Sequence, residues 1–293
     1  MMILQNYFSF FMQNCIILCI FALTMSQLKV NIYSQGDTLP EMTCRDFFHS
    51  TGLFHHCEVT PRLRPYMVVV EDTEDGNHRV VSHLLAMIRY RSSWFPPYYY
   101  MHCRILGEGV YKESSGDAFD QMLKALTSKL GPRMLYVEVS HLSHKMFGYR
   151  QLRAARYFPV RWMSIHNSLH SRTPEERITP ALQQRIDNAY ERGVITDEVK
   201  NEDDFKEFMK LLRHHNWLKP KRYIPADEFF HSFSGLPKEE GKEGIELHDD
   251  GRLYLTRYRN RVVGCSTVVY SNHQAYLWYA AYSRKSFAWV HPR

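Results

Sequence analysis

Positive charge is concentrated in the middle of this 293-residue chain, and this concentration is the clearest indication of chemistry in the sequence. The net charge is +6, and residues 145–192 alone contain nine Lys and Arg against four Asp and Glu. Clustered cations attract phosphate groups, whether on a nucleotide sugar, an RNA end, a cofactor or a lipid head group. A solvated basic face without a ligand is the competing interpretation.

Two basic groups have a spacing that suits a bound phosphate. Arg185 and Arg192 lie seven residues apart, which is two helical turns, so they share one face of a predicted helix. The opposite face carries an apolar stripe of Leu182, Ile186, Ala189 and Tyr190. Lys219, Arg222 and Tyr223 follow in a proline-stiffened loop, for which simple solvation is the alternative. The residues that we expect to bind a phosphorylated substrate are Arg185, Lys219, Arg222 and Tyr223.

Candidates for proton transfer and substrate contact lie on predicted strands. Glu138 follows the first long helix, at a position where a base could face a cleft, although a solvent-facing carboxylate at a strand edge is the more common case. Tyr98 and Tyr100 share one face of their strand because side chains alternate across a strand, and we expect both to contact substrate. Tyr279 on the last strand is a further candidate, with a core position as its alternative.

The cysteines and histidines do not indicate a metal site. No pair of the six cysteines has C-x-x-C spacing, and the sixteen histidines include His141-x-x-His144 without a third ligand at a suitable distance along the chain. We therefore expect no metal, and reduced thiols in a cytoplasmic protein.

A repeated pattern of strands organises the chain. Residues 251–282 consist of three runs rich in β-branched and aromatic residues, separated by polar turns, which predicts an antiparallel meander. A similar pattern spans residues 66–105. Because helical sequence precedes each meander, the repetition predicts two similar domains in tandem. With 44% hydrophobic residues, the chain can bury one large core or two of ordinary size.

The elements between the meanders follow a definite order. After a glycine-containing loop we expect a helix at 116–130, a strand at 134–139, a helix near 143–155 and strands at 158–162 and 164–169. A linker helix is capped by Thr179 and Pro180 and ends at Gly193, and a second helix at 202–216 turns apolar residues inward. We place the first domain at residues 28–171, and the linker helix with the second domain at 172–293.

Residues 1–27 form a hydrophobic extension. Its apolar run at 7–23 is long enough for a marginal membrane helix or the core of a signal peptide. No Lys or Arg precedes this run, so the positive segment of a signal peptide is missing. Met25 follows directly, and a mis-assigned start codon explains the extension better than an anchor does.

The element order resembles that of FemAB-type aminoacyl and acyl transferases and the related BioF2-like acetyltransferases. The segments that carry the resemblance are Lys219-Pro-Lys-Arg222, Glu228-Phe-Phe230 and Tyr258-Arg-Asn-Arg-Val-Val-Gly264. The resemblance covers residues 28–293 through element order and loose motifs. It implies an α+β fold of two tandem GNAT-like (acyl-CoA N-acyltransferase) domains. The second domain would be incomplete, because the chain stops where its third helix is expected.

The resemblance also implies an activity. Such an enzyme transfers an activated acyl or aminoacyl group to an amine of a cell-envelope or polysaccharide precursor, with acyl-CoA or aminoacyl-tRNA as donor. Its partners would be a phosphorylated small-molecule or lipid-linked acceptor and tRNA, in the cytoplasm and in peripheral contact with a membrane. Residues 282–292 contain no glycine, which departs from the phosphate-cradling loop of ordinary GNAT enzymes. The alternative is an inactive, truncated transferase remnant that acts as a binding module.

Overall fold

The computed structural model describes residues 28–73, 79–95, 97–112, 115–131, 134–143, 146–160, 172–217, 224–237 and 245–283. Helices and strands are both present in this part of the chain, and the strands form two separate sheets. The predicted α+β class is therefore confirmed. Among the helices in these ranges, none is long and apolar enough to cross a membrane. The apolar run predicted at 7–23 lies outside the described residues.

The first sheet contains six strands: β1 (Leu28–Tyr33), β2 (Leu63–Asp72), β3 (Arg79–Ser93), β4 (Tyr98–Leu106), β5 (Val110–Tyr111) and β6 (Met134–Ser140). Their order is β1-β2-β3-β4-β6, and β5 pairs with β3. The first four strands are antiparallel, whereas β6 is parallel to β4. A meander followed by a helix and a parallel strand is the element order predicted for a GNAT-like domain.

Helices cover both faces of the first sheet. Ser50 caps α1 (Thr51–Val59) by accepting a hydrogen bond from the Leu53 amide, and this helix packs on β2. On the opposite face lies α2 (Ser115–Lys129), which supplies the crossover that a parallel strand pair requires. The predicted apolar stripe of α2 is buried as expected at Phe119, Met122, Leu123 and Leu126.

The second sheet is antiparallel and contains the predicted C-terminal meander. Its strands are β7 (Val194–Glu198), β8 (Gly251–Tyr258), β9 (Arg261–Ser271) and β10 (Gln274–Tyr282), in the order β10-β9-β8-β7. Two-residue turns with positive φ connect β8 to β9 at Arg259 and Asn260, and β9 to β10 at Asn272 and His273. Such turns match the twist of the strands that they join.

The linker helix has the predicted ends, but its apolar stripe is not buried. This helix is capped by Thr179, whose side chain accepts from the Leu182 amide, and Gly193 follows it with φ +85°. None of the helix residues, Pro180–Glu191, is buried, and Leu182 and Tyr190 remain 43% and 63% exposed. The helix contacts the edge strand β7, which is itself mostly exposed, so its stripe finds little apolar surface to cover it.

The further α-helices are α3 (Tyr149–Ala154), α4 (Pro174–Arg177), α6 (Glu202–Asn216) and α7 (Asp227–His231), with α5 being the linker helix Pro180–Glu191, and short 3-10 helices span Gly36–Thr38 and Phe47–His49. The bounds of α6 agree with the prediction, whereas the helix predicted near 143–155 is shorter. Residues 158–160 have no regular structure, so the strand predicted there is wrong over its described part. The strand predicted at 164–169 lies outside the described residues.

One apolar core is shared by both sheets. Phe47 and Phe48, which precede α1, contact Trp278 of β10 with ring centroids 6.0 and 5.5 Å apart. Phe229 and Phe233 from α7 and the segment after it pack against the same indole ring. The two meanders thus face each other across a common core. The domain boundary placed between 171 and 172 adjoins residues outside the described part and stays a prediction.

Candidate functional site

A polar cluster lies between the two sheets, beside their shared core. Alternate residues of β3 and β4 face the second sheet, and the strand register pairs Arg89 with His102 and Arg91 with Tyr100. Arg104 follows on the same face of β4. We call Arg89, Arg91, His102 and Arg104 the arginine cluster. Three guanidinium groups and one imidazole therefore converge on one surface of an otherwise apolar sheet.

Arg89 connects the cluster to the second sheet. Its side chain is 3% exposed, and Nη2 donates to the hydroxyl oxygen of Tyr279 on β10 at 3.3 Å. Taking a guanidinium out of water costs several kcal/mol unless the group is paired and hydrogen-bonded. Arg89 therefore joins the two sheets beside their shared core.

His102 lies beside Arg89 and is uncharged at neutral pH. The residue is 4% exposed, and its ring stacks on Tyr136 with centroids 5.0 Å apart and planes inclined by 14°. Burial lowers the pKa of His102 to about 4, and the positive charges of Arg89, Arg104 and Arg91 lower it as well. Nδ1 is buried and has no hydrogen-bond partner among the described residues. A ligand that reaches the cluster could bond to this nitrogen.

The mouth of the cluster is formed by β4 and β6. Arg104 Nε lies 3.5 Å from Glu138 Oε1, and Ser140 Oγ donates to the same carboxylate oxygen at 3.1 Å. Arg91 Nη1 donates to the Tyr100 hydroxyl at 2.9 Å. The Arg104, Glu138 and Tyr136 side chains are all partly exposed, so solvent reaches the cluster from this side.

The electrostatics of the cluster favour an anion. Three arginines lie together here, Arg104 is paired with the Glu138 carboxylate, and the neutral imidazole of His102 adds no charge. Guanidinium groups bind phosphate and carboxylate oxygens in a bidentate geometry. An anionic ligand would meet solvated side chains at the mouth and a buried arginine and histidine at the base, where charge interactions are stronger than in water.

The structure brings four of the predicted site residues to this surface. Glu138, Tyr100 and Tyr279 contact the arginine cluster directly, and Tyr98 lies beside Tyr100 with ring centroids 5.8 Å apart. Arg185 lies on α5, a helix without buried residues. The other three predicted residues, Lys219, Arg222 and Tyr223, lie outside the described residues.

Sequence reasoning missed the arginine cluster itself. A signal was nevertheless present: Arg89 and Arg91 alternate along an otherwise apolar strand, and His102 and Arg104 do the same on the next strand. Charged residues at period two inside hydrophobic strands indicate a polar face. Only the strand register shows that the two polar faces are adjacent.

A second buried histidine holds the loop after β4. The amides of Leu85 and Gly109 point at the two ring nitrogens of His49, at 3.1 and 3.0 Å. Burial lowers the pKa of His49 to about 4, so the ring is neutral and accepts from one of these amides at a time. Glu108 in the same loop accepts from the Leu142 and Ser143 amides. These contacts fix the loop between β4 and β5.

Comparisons with known proteins are sparse. No protein-family model matches the chain, and no curated protein does. Two similar solved structures are FemX and a tandem GNAT protein from the clavulanic acid biosynthesis pathway. FemX has a TM-score of 0.49 at 10% identity and covers 89% of this chain and 82% of its own. The tandem GNAT protein has a TM-score of 0.41 at 11% identity, covering 88% and 80%.

Both TM-scores lie below 0.5, so the fold class rests on the strand order of the two sheets rather than on these likenesses. Within the part of the chain that the structure describes, no three His, Cys, Asp or Glu side chains gather in a way that could hold a metal ion.

Proposed function

We propose that this chain is an acyl or aminoacyl transferase whose amine acceptor carries an anionic group that binds at the arginine cluster. The observation that carries the proposal is the buried Arg89, hydrogen-bonded to Tyr279 across the two sheets and adjacent to His102, whose Nδ1 has no hydrogen-bond partner in the described part of the chain. A cell-envelope or polysaccharide precursor with a phosphate or pyrophosphate group has the required charge. The strand order of the first sheet supports a GNAT-like mode of transfer.

The proposed reaction is direct transfer without a covalent enzyme intermediate. The acceptor amine attacks the carbonyl carbon of the donor, a new C–N bond forms, and the donor thiolate or alkoxide leaves and takes up a proton. Arg89 and Arg104 bind the anionic group of the acceptor. The amine proton passes to a base, for which the neutral imidazole of His102 and the partly exposed carboxylate of Glu138 are the two candidates. Tyr279 keeps Arg89 in position.

The remaining predicted residues extend this proposal. Tyr98 and Tyr100 would contact the acceptor at the mouth of the cluster, and Arg185, Lys219, Arg222 and Tyr223 would contact a longer phosphorylated group. The donor is acyl-CoA or an aminoacyl-tRNA. The reaction would take place in the cytoplasm and in peripheral contact with a membrane when the acceptor is lipid-linked.

A second candidate function is anion binding without transfer. It is favoured by Glu108, whose carboxylate accepts from the Leu142 and Ser143 amides at 3.0 and 2.9 Å. These amides lie just beyond the carboxyl end of β6, where backbone N–H groups could bind an oxygen of the acyl donor. Because both amides already donate to Glu108, they are not available for that role. In this case the arginine cluster would still bind a phosphorylated ligand, and the chain would act as a binding module.

Ligand-dependent thermal unfolding separates these functions. Wild-type protein would be heated with acyl-CoAs, aminoacyl-tRNA, nucleotide-linked sugars and pyrophosphate, alone and in donor–acceptor pairs. The proposal predicts that an anionic acceptor raises the Tm of wild type and of Arg213→Ala, a control that removes an exposed arginine of α6. The same ligand should raise the Tm of Arg104→Ala much less.

Transfer is then tested by mass spectrometry on each pair of ligands that stabilises the protein. A product heavier than the acceptor by one acyl group supports the transferase. Stabilisation without any product supports the binding module. If no ligand stabilises wild type more than Arg104→Ala, both proposals are wrong.

A further inference from the structure

A cavity of about 300 Å³ lies on the other face of the first sheet, away from the arginine cluster. It is bordered by β2, β3 and β4, the end of α2 and the start of β6. The cavity opens where β4 and β6 begin to pair, and the register is irregular there: Met101 faces Met134, whereas the next residue, His102, faces Tyr136. Such an extra residue locally disrupts a strand pair and often occurs beside functional sites.

The walls of this cavity are aromatic. Tyr90 of β3 and Tyr99 of β4 lie with ring centroids 6.4 Å apart and planes inclined by 39°. On β2, the guanidinium of Arg64 lies 5.8 Å from the ring centroid of Tyr66. Met101 contributes an apolar part of the lining. Three tyrosine rings around an apolar surface can stack on a flat, unsaturated ligand.

The rim of the cavity is positively charged. Arg64 and Lys129 both line it, and none of the residues described as lining it is an Asp or Glu. A hydrogen bond with Tyr90 holds the Arg64 guanidinium and raises its pKa, and the nearby Tyr66 acts in the same direction. Lys129 is the last residue of α2, the helix whose end borders the cavity.

We propose that this cavity binds a nucleotide, with the base among the tyrosines and the phosphate at Arg64 and Lys129. Aromatic side chains stack on any nucleobase, and arginine and lysine bind phosphate oxygens. The volume is at the lower end of small-molecule sites, which span roughly 300–1,000 Å³, so it suits a mononucleotide. The site is separate from the arginine cluster and does not depend on the proposed transferase activity.

Isothermal titration calorimetry on the full chain tests this site with three probes: AMP, adenosine and inorganic phosphate. We expect AMP to bind, and adenosine and phosphate to bind at least about tenfold more weakly, because each lacks one of the two groups that the cavity recognises. Tyr99→Ala should weaken AMP binding by at least about fivefold, since it removes one of the rings on which the base stacks. Arg64→Ala should weaken AMP binding by a similar factor.

Two controls make the outcome decisive. Tyr149→Ala removes a tyrosine of comparable exposure outside the cavity and should leave AMP affinity unchanged. Arg104→Ala alters the arginine cluster and should also leave it unchanged. If AMP affinity falls in Arg104→Ala and not in Tyr99→Ala, the nucleotide binds at the arginine cluster, and the cavity proposal fails while the proposed function stands. Absence of AMP binding to wild type at millimolar concentration also overturns it.

Discussion

The two ends of the interface between the sheets differ in chemistry. One end is an aromatic cluster of Phe47, Phe48, Phe229, Phe233 and Trp278. Its rings meet mostly edge to face, an arrangement that aromatic side chains prefer. The other end is the arginine cluster, where the Arg89 guanidinium and the His102 imidazole are buried. The first end stabilises the interface through apolar burial, and the second places positive charge beside it.

Tyr279 links these two ends. Its ring centroid lies 5.1 Å from that of Phe230 and 6.3 Å from that of Phe229, whereas its hydroxyl accepts from Arg89. The packing of the aromatic cluster therefore determines where the hydroxyl stands. Fixing a long side chain such as that of Arg89 costs conformational entropy. The hydrogen bond to the well-packed Tyr279 offsets part of this cost and holds Arg89 in one geometry.

The largest effect should come from the aromatic cluster. Phe229 is almost fully buried and contacts Trp278 with ring centroids 5.4 Å apart. Phe229→Ala removes this packing and leaves a cavity, which should lower the free energy of unfolding by about 3–5 kcal/mol. Urea unfolding followed by tryptophan fluorescence measures it. Trp94→Ala, at a highly exposed ring, is the control and should change stability by less than about 0.5 kcal/mol.

If Phe229→Ala lowers the free energy of unfolding by less than about 1 kcal/mol, the aromatic cluster does not hold the two sheets together. The proposed difference between the two ends of the interface would then be wrong.

Local patterns account for what the sequence could predict. Helix α6 begins at Glu202 because Asn201 accepts from the Asp204 amide, and it buries the predicted apolar residues Phe208 and Leu212. All of these signals lie within one short segment. The meander turns are equally local. By contrast, the bond between Arg89 and Tyr279 joins residues 190 positions apart, and no local pattern specifies it.

The linker helix shows the limit of periodicity. The stripe that includes Leu182 and Tyr190 has helical spacing, and the helix forms, but burial depends on a neighbour that the described chain does not provide. Glu138 shows that local patterns also fail to predict which side chains form an ion pair. Its position on β6 was predictable, whereas its ion pair with Arg104 follows from the parallel register of β4 and β6.

The second prediction concerns whether a substitution in the arginine cluster raises or lowers the free energy of unfolding. Burying a guanidinium carries a desolvation cost of several kcal/mol, which a methionine of similar length does not have. Arg89→Met should therefore leave the free energy of unfolding unchanged or raise it, in contrast to Phe229→Ala. The same change should weaken pyrophosphate binding by at least about tenfold, because charge-assisted bonds contribute about 1.5–3 kcal/mol each. Unfolding in urea and calorimetric titration measure the two effects.

Tyr279→Phe provides the matched control. It keeps the ring in the aromatic cluster and removes only the hydroxyl bonded to Arg89, so pyrophosphate affinity should fall less than in Arg89→Met. A marked destabilisation by Arg89→Met would show that the arginine is structural.

The third prediction concerns pH. The pKa of folded His102 is about 4, below its ordinary value of 6.5. Between these values the unfolded chain takes up a proton that the folded chain does not, so the free energy of unfolding falls as pH is lowered from 6.5 towards 4. His102→Asn should reduce the slope of the free energy of unfolding against pH by the equivalent of up to one bound proton. The pKa values of His49 and His83 are also lowered to about 4, so part of the fall remains.

An anion should reverse part of this pKa shift. Since the charges of Arg89, Arg104 and Arg91 contribute to the low pKa of His102, bound pyrophosphate should raise it. NMR titration of the histidine ring signals, with and without pyrophosphate, measures the change, and His49 serves as the internal reference. A His102 pKa that does not respond to pyrophosphate would place the anion elsewhere.

The smallest effect on stability should come from Glu138. Its ion pair with Arg104 is half-exposed, and such pairs contribute about 0–1 kcal/mol, so Glu138→Gln should change the free energy of unfolding by less than about 1 kcal/mol. Removal of the carboxylate also takes away the anion that competes for Arg104. Pyrophosphate should consequently bind up to about fivefold more tightly, the equivalent of about 1 kcal/mol. Glu207→Gln, which removes an exposed carboxylate beside Arg257, is the control and should leave the affinity unchanged. If Glu138→Gln weakens pyrophosphate binding instead, the carboxylate takes part in holding the ligand, and the arginine cluster alone does not explain the site.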